Sequence, residues 1–186
     1  MPSRRERDQY GSAGARPSRH QVVPFRPGHP LGHRTGRGQH ATPAATAIGG
    51  TAANLLSAVL TTNAVADRLA SGGAVVHLGS IAADKGAGSY GAAKAAVAAW
   101  NVDLARDLGP RGITSNVVSP GYVGDTEFFR DRLTDQRREV LISQTATSRP
   151  GTPEDIAGVV HFLASAAARH VTGQVINVNG GAWLTQ

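Results

Sequence analysis

A chain of 186 residues, 40% hydrophobic and 17% charged, is long enough to bury a core and too apolar to remain disordered throughout. It has no cysteine, which excludes a disulfide framework, a thiolate nucleophile and a Cys-based zinc site. The net charge of +6 resides wholly in residues 1–50, where eight arginines face only Glu6 and Asp8, so the remainder is electrically balanced.

Residues 1–49 also hold six of the ten prolines and four of the seven histidines, a composition apart from everything that follows. Prolines and glycines interrupt any period of 2 or 3.6 there, and only "HQVVPF" has strand character. This basic segment is expected to be disordered or irregular. An arginine-rich arm can contact phosphates, but Tyr10 and Phe25 are its only aromatics and no recognition helix is visible, so no specific nucleic-acid partner is expected. His29 and His33 have helical ligand spacing, but Pro30 lies between them, and no metal site is expected. No apolar run approaches the roughly 20 residues of a membrane helix, and no hydrophobic stretch of a secretory signal follows the basic start. A cytoplasmic protein is expected.

From about Gly50 the pattern becomes regular. In "TAANLLSAVLTTNAVADRLA", Leu55, Val59, Ala64 and Leu69 have helical spacing. "SGG" breaks that helix, and Ala74 to Gly79 reads as a short buried strand. A glycine-rich loop leads to a helix holding Tyr90 and Lys94 and reaching about Leu108, which "GPRG" ends. "ITSNVVS" is a second strand, "PGYVGDTEFF" a loop, and about Thr126 to Thr145 a charged helical segment. Thr152, Pro153 and Asp155 supply an N-cap, a first-turn proline and an N3 acid for a last helix whose apolar stripe is Ile156, Val159, Val160 and Leu163. "GQVINVNGG" closes the chain as a third strand. Helices alternating with strands predict an α/β fold with a parallel sheet and right-handed crossovers. Such sheets take ligands beyond the carboxyl ends of their strands, which places the chemistry after Gly79, after Ser119 and after Val178.

Tyr90 follows the first of those ends. At i and i+4, Tyr90 and Lys94 share a helix face. A phenol titrates near pH 10 and transfers no proton at neutrality unless shifted. A cation about 4 Å away, at an effective dielectric of about 20, contributes up to ~4 kcal/mol, or about three pKa units. Ser80 is close enough in sequence to hold a substrate oxygen against the phenol. The plainer alternative is that Tyr90 ends a loop, Lys94 decorates a solvated face and Ser80 caps a strand.

The segment "VVHLGSIAADKGAGSYGAAKAA" resembles the active-site segment of the short-chain dehydrogenase/reductase family: strand, serine, loop, then Tyr-x-x-x-Lys. "NVVSPGYVGDT" is similar to that family's Pro-Gly loop, "VTGQVINVNGGAW" to its C-terminal strand, and "AANLLSAV" to the helix bearing its asparagine. The resemblance covers about residue 50 to the C-terminus. It implies part of a Rossmann-type, doubly wound parallel sheet over residues 50–186, and an oxidoreductase of class EC 1.1.1.- close to 3-oxoacyl-[acyl-carrier-protein] reductases. It implies NAD(H) or NADP(H), with the choice between them open, and a small carbonyl or alcohol substrate. By resemblance, Tyr90 is the general acid or base, Lys94 assists it and holds the nicotinamide ribose, Ser80 orients the carbonyl, and Asn54 supports a water that relays protons to Lys94. Pro120, Gly121, Val123 and Thr126 would hold the nicotinamide. The helices bearing Asn54 and Tyr90 would build a homodimer or homotetramer.

Three departures qualify that expectation. Ser80 and Tyr90 are ten residues apart, a short spacing for the family, and Thr126 falls one residue late in its loop. Above all, the strand, Gly-rich turn and helix that bind a dinucleotide's pyrophosphate are missing before Asn54; "TGRG" at 35–38 lacks both flanking elements. The N-terminal βαβ half is therefore expected to be lost through truncation or a frameshift. The alternative to an enzyme is a remnant deficient in cofactor binding that acts only as a dimerising module.

Overall fold

The computed structural model describes residues 49–129 and 133–185, all within one compact unit, His40–Gln186. The readings of the basic head, including His29 and His33, lie outside the described residues. Gly49 is already helical, one residue earlier than the boundary expected from composition.

The first helix is α-helical from Gly49, widens to a π turn at Ala52–Leu56 and continues as α1, Ser57–Val65. A single 3₁₀ turn, Ala66–Arg68, leads to β1, Ala74–Leu78. The short α2, Ala82–Lys85, precedes the long α3, Gly88–Leu108. Then come β2 (Thr114–Pro120), α4 (Asp135–Ser143), α5 (Pro153–Ala164) and β3 (Val175–Val178). Among the described residues the charged segment is helical from Asp135, where the Thr134 side chain accepts the Arg137 N–H and caps the helix. Thr126 is a bend, followed by a turn at 127–129.

The three strands form a parallel sheet in the order β1-β2-β3, with Leu78 beside Val118 and Pro120 beside Val178. Among the described residues β1 has a neighbour on one side only. Strand alternation divides the core into two layers. On one face Leu104, Leu108 and Ile113 are buried with Val75, Leu69 and Trp100 packed against them. On the other, Val118, Leu163 and Ala168 meet Val76 and Ile176 of the strands and the predicted Ile156, Val159 and Val160 stripe of α5. Polar side chains of β2 follow the same alternation. Ser115 donates to Asn101 Oδ1 of α3 at 2.8 Å, and Asn116 donates to the Val171 carbonyl at 2.7 Å on the opposite side.

These layers align the strand ends. Gly79 N–H donates to the Val118 carbonyl at 2.7 Å, Ile81 N–H to Pro120 at 3.0 Å and Gly121 N–H to Val178 at 3.1 Å. Three consecutive exits from the sheet are thereby tied together, and the loops leaving them converge on one place.

Candidate active site

At that place lies a cleft of about 870 Å³, within the range of small-molecule sites. Seven of the eight residues expected from the sequence line it: Ser80, Tyr90, Lys94, Pro120, Gly121, Val123 and Thr126. Asn54 is not among its lining residues.

The helix that carries Tyr90 and Lys94 starts at Gly88, whose φ of +57° lies in the left-handed region that glycine tolerates. One turn apart on α3, the two side chains share a face, with the Lys94 ammonium 5.8 Å from the centre of the Tyr90 ring. Lys94 Nζ donates to the Leu78 carbonyl at 2.8 Å, which anchors it at the end of β1 and leaves further donors. Partial burial pushes the amine below its usual pKa, because desolvation disfavours the charged form.

Ser80 Oγ accepts the Ala82 N–H at 3.1 Å, a local bond to the first residue of α2. Its own proton and a second lone pair remain available to the cleft. Ser89, next to the tyrosine, is exposed and outside the lining. Asn54 sits inside the π turn, and its side-chain amide donates at 2.9 Å to the Gly50 carbonyl, the group to which an α-helical N–H of the same residue would bond. The π turn packs against α3.

The loop from Pro120 to Thr126 is braced rather than loose. Gly124 N–H donates to the Gly151 carbonyl and Gly151 N–H to Tyr122, both at 2.9 Å, and Thr126 Oγ1 approaches the Val123 carbonyl at 3.4 Å. Gly121 has no room for a side chain, since a Cβ there would stand 2.8 Å from that of Asn179. Close backbone passage of this kind leaves main-chain groups at the floor of the cleft.

Several cleft residues were not singled out by the sequence. Tyr122, Phe128 and Phe129 form a chain of rings running from Tyr90, while Arg137 and Gln144 come from α4 and its end. Lys85 reaches across to Gln144 Oε1 at 3.0 Å. Residues so far apart in the chain carry no local signal of a shared wall. Behind Lys94 lies a second hollow of about 390 Å³ between α3 and the ends of β2 and β3, lined by Gly79, Ser80, Asp84, Ser119 and Asn177 among others. The Ser119 hydroxyl is buried there without a hydrogen-bond partner among the described residues. No group of three or more metal-ligating side chains comes together among the described residues, and none of their helices is long and apolar enough to cross a membrane.

The described residues fit the nicotinamide end of a dinucleotide: a spare lysine donor, a phenol and a braced loop share one cleft. Among them, no glycine-rich turn between a strand and a helix precedes β1 to receive a pyrophosphate.

Residues 39–182 match the family model described as enoyl-(acyl carrier protein) reductase. The chain is 42% identical over 137 residues to the cyclohexanol dehydrogenase of Rhodococcus sp., covering 70% of this chain and 50% of that protein. To the 3-oxoacyl-[acyl-carrier-protein] reductase of Pseudomonas aeruginosa it is 40% identical over 116 residues, covering 61% and 46%. The solved structure of an angucycline C-6 ketoreductase with bound NADP superposes with a TM-score of 0.68 at 28% identity, covering 77% and 56%. The chain spans about half the length of the curated relatives it matches. On the parallel sheet, the shared cleft and these likenesses together, the chain belongs to the short-chain dehydrogenase/reductase family of oxidoreductases.

Proposed function

We propose that this chain carries the proton-transferring and nicotinamide-side part of an NAD(P)(H)-dependent oxidoreductase that interconverts a ketone and a secondary alcohol, as in 3-oxoacyl-[acyl-carrier-protein] reductases. The observation that carries the reading is the convergence of Ser80, Tyr90, Lys94 and the Pro120–Thr126 loop on one cleft. A reduced nicotinamide, when bound, supplies the hydride for the carbonyl carbon. Tyr90 gives its hydroxyl proton to the carbonyl oxygen, or takes one in the reverse direction. The Lys94 ammonium, 5.8 Å from the ring centre, stabilises the negative charge that develops on the phenol oxygen. Ser80, fixed through its bond from Ala82, donates its free hydroxyl proton to the same substrate oxygen. Pro120, Gly121, Val123 and Thr126 present backbone and hydroxyl groups to the nicotinamide carboxamide, and Lys94 holds the ribose. Asn54 keeps a water that returns protons to Lys94; its position in a π turn, a device frequent at functional sites, favours this role.

A homodimer or homotetramer forms through α1 and α3, whose Leu60 and Val102 are 64% and 40% exposed. A second reading, a non-catalytic dimerising module, is favoured by the missing pyrophosphate turn among the described residues.

Titrating the chain with reduced nicotinamide dinucleotide while following its fluorescence separates the two. We expect a saturable signal, and loss of ketone reduction by at least about 100-fold in Tyr90→Phe with cofactor affinity unchanged. No signal up to millimolar cofactor gives the module reading the field, and unimpaired turnover in Tyr90→Phe ends the proposed role of Tyr90.

A further inference from the structure

The cleft has two chemically different sides. From Tyr90 a wall of aromatic rings runs outward: Phe128 lies 6.0 Å from the Tyr90 ring, Phe129 lies 4.9 Å from Phe128 at 85°, and Tyr122 lies 5.7 Å from Phe129. Phe128 is 66% exposed, an aromatic face left to water beside the proposed proton donor. Leu133, Leu141 and Ile156 extend the apolar surface. Among the described residues, the lining holds three cations and no carboxylate. Lys94 bonds the Leu78 carbonyl beside the Tyr90 ring, and Lys85 bonds Gln144 and the Ala182 carbonyl, all uncharged partners. The Arg137 guanidinium has no partner among the described residues, although its own backbone N–H is held by Thr134.

A flat ring fits the wall better than a flexible chain, because aromatic pairs gain from stacked or edge-to-face geometry and lose little rotational freedom. A planar guanidinium with an open fork is matched by a carboxylate, and a lining with three cations and no carboxylate among the described residues favours an anion. We propose that the cleft takes a ring-containing carbonyl or carbinol compound bearing a carboxylate, with the ring against Phe128 and the carboxylate on Arg137. The inference rests on the oxidoreductase reading for the reaction but not for the binding.

Calorimetric titration of the full chain tests it with 6-acetyl-2-naphthoate, the neutral isostere 6-acetyl-2-naphthamide and the flexible anion 3-oxodecanoate. The naphthoate is expected to bind about tenfold more tightly than the amide. Arg137→Gln should remove that preference and leave the amide within about twofold. Phe128→Leu, which keeps apolar bulk but removes the ring, should weaken both naphthalene ligands and spare 3-oxodecanoate. Thermal melts of both variants establish that they fold; each changes an exposed side chain. Equal binding of naphthoate and amide, a preference that survives Arg137→Gln, or no binding of any probe up to millimolar concentration overturns the inference. Reduced-nicotinamide titrations on the same samples separate this from the reaction reading. Naphthoate binding without nicotinamide binding sinks only the latter, and ketone turnover without carboxylate preference sinks only the former.

Discussion

Gly121 shows how little space separates the end of β2 from the residue that follows β3. An added Cβ would come within 2.9 Å of the Asn179 Cα as well as 2.8 Å of its Cβ, and the neighbouring backbone must move to admit it. Gly121→Ala is therefore expected to destabilise by ~1–3 kcal/mol, read in urea denaturation. Gly124 is the matched control. A Cβ there meets Pro150 at 3.5 Å, an ordinary contact, and Gly124→Ala should stay within about 0.5 kcal/mol of the parent. A Gly124 variant as damaged as the Gly121 one would contradict this account of the loop. At this scale the sequence was readable where chemistry is local. Tyr90 and Lys94 declare themselves because i and i+4 positions share a face before any tertiary contact forms. Arg137 and Phe128 do not, since they reach the cleft that Tyr90 lines from separate segments, α4 and the turn at 127–129.

Among the elements, α5 is the one whose limits the sequence stated most clearly. Thr152 Oγ1 accepts the Asp155 N–H at 3.3 Å while Asp155 accepts the Thr152 N–H at 2.9 Å, the reciprocal cap expected from the residue types. Replacing Thr152 with alanine removes one of these bonds and is expected to cost ~1 kcal/mol. Because α5 carries the Ile156, Val160 and Leu163 side of one core layer, the loss should appear as a lower midpoint of the whole transition. An unchanged midpoint would mean that the helix end is held by other contacts. The charged segment was less legible: polar residues at helical spacing do not mark where a helix begins, and Thr134 caps the one at Asp135. Nor was the π turn at Ala52–Leu56 read from the sequence, since no residue type marks where an i→i+5 bond replaces the i→i+4 one.

At the scale of the whole molecule, two of the described groups held below their ordinary pKa values, His77 and Asp155, shape the response to acid. Burial lowers the His77 imidazole, which is 9% exposed, packs 5.1 Å from the Trp100 ring and has an unpartnered Nε2 among the described residues. The folded state resists protonating it while the unfolded chain does not, so its share of stability is present above about pH 6.5 and lost as pH falls through the lowered value. Asp155 is lowered to about 2 by its hydrogen bond from Arg149 and then by the Thr152 N–H, so its share is intact above 3.8 and lost as pH falls through about 2. Thermal midpoints should therefore decline in two separate steps on acidification. The first should flatten in His77→Gln, and a step that persists unchanged in that variant would assign it elsewhere. The parallel order of the three strands was predictable from alternating helices and strands, whereas the depth at which His77 lies depended on how Trp100 closes over it.

Lys94 belongs to the walls of both hollows, the larger one with Tyr90 and the smaller one with Ser119 and Asn177. The side chain thus contributes surface to both as well as a charge. Cutting it back to alanine would remove that shared wall along with the ammonium, so a shape-keeping neutral replacement such as methionine isolates the electrical contribution far better.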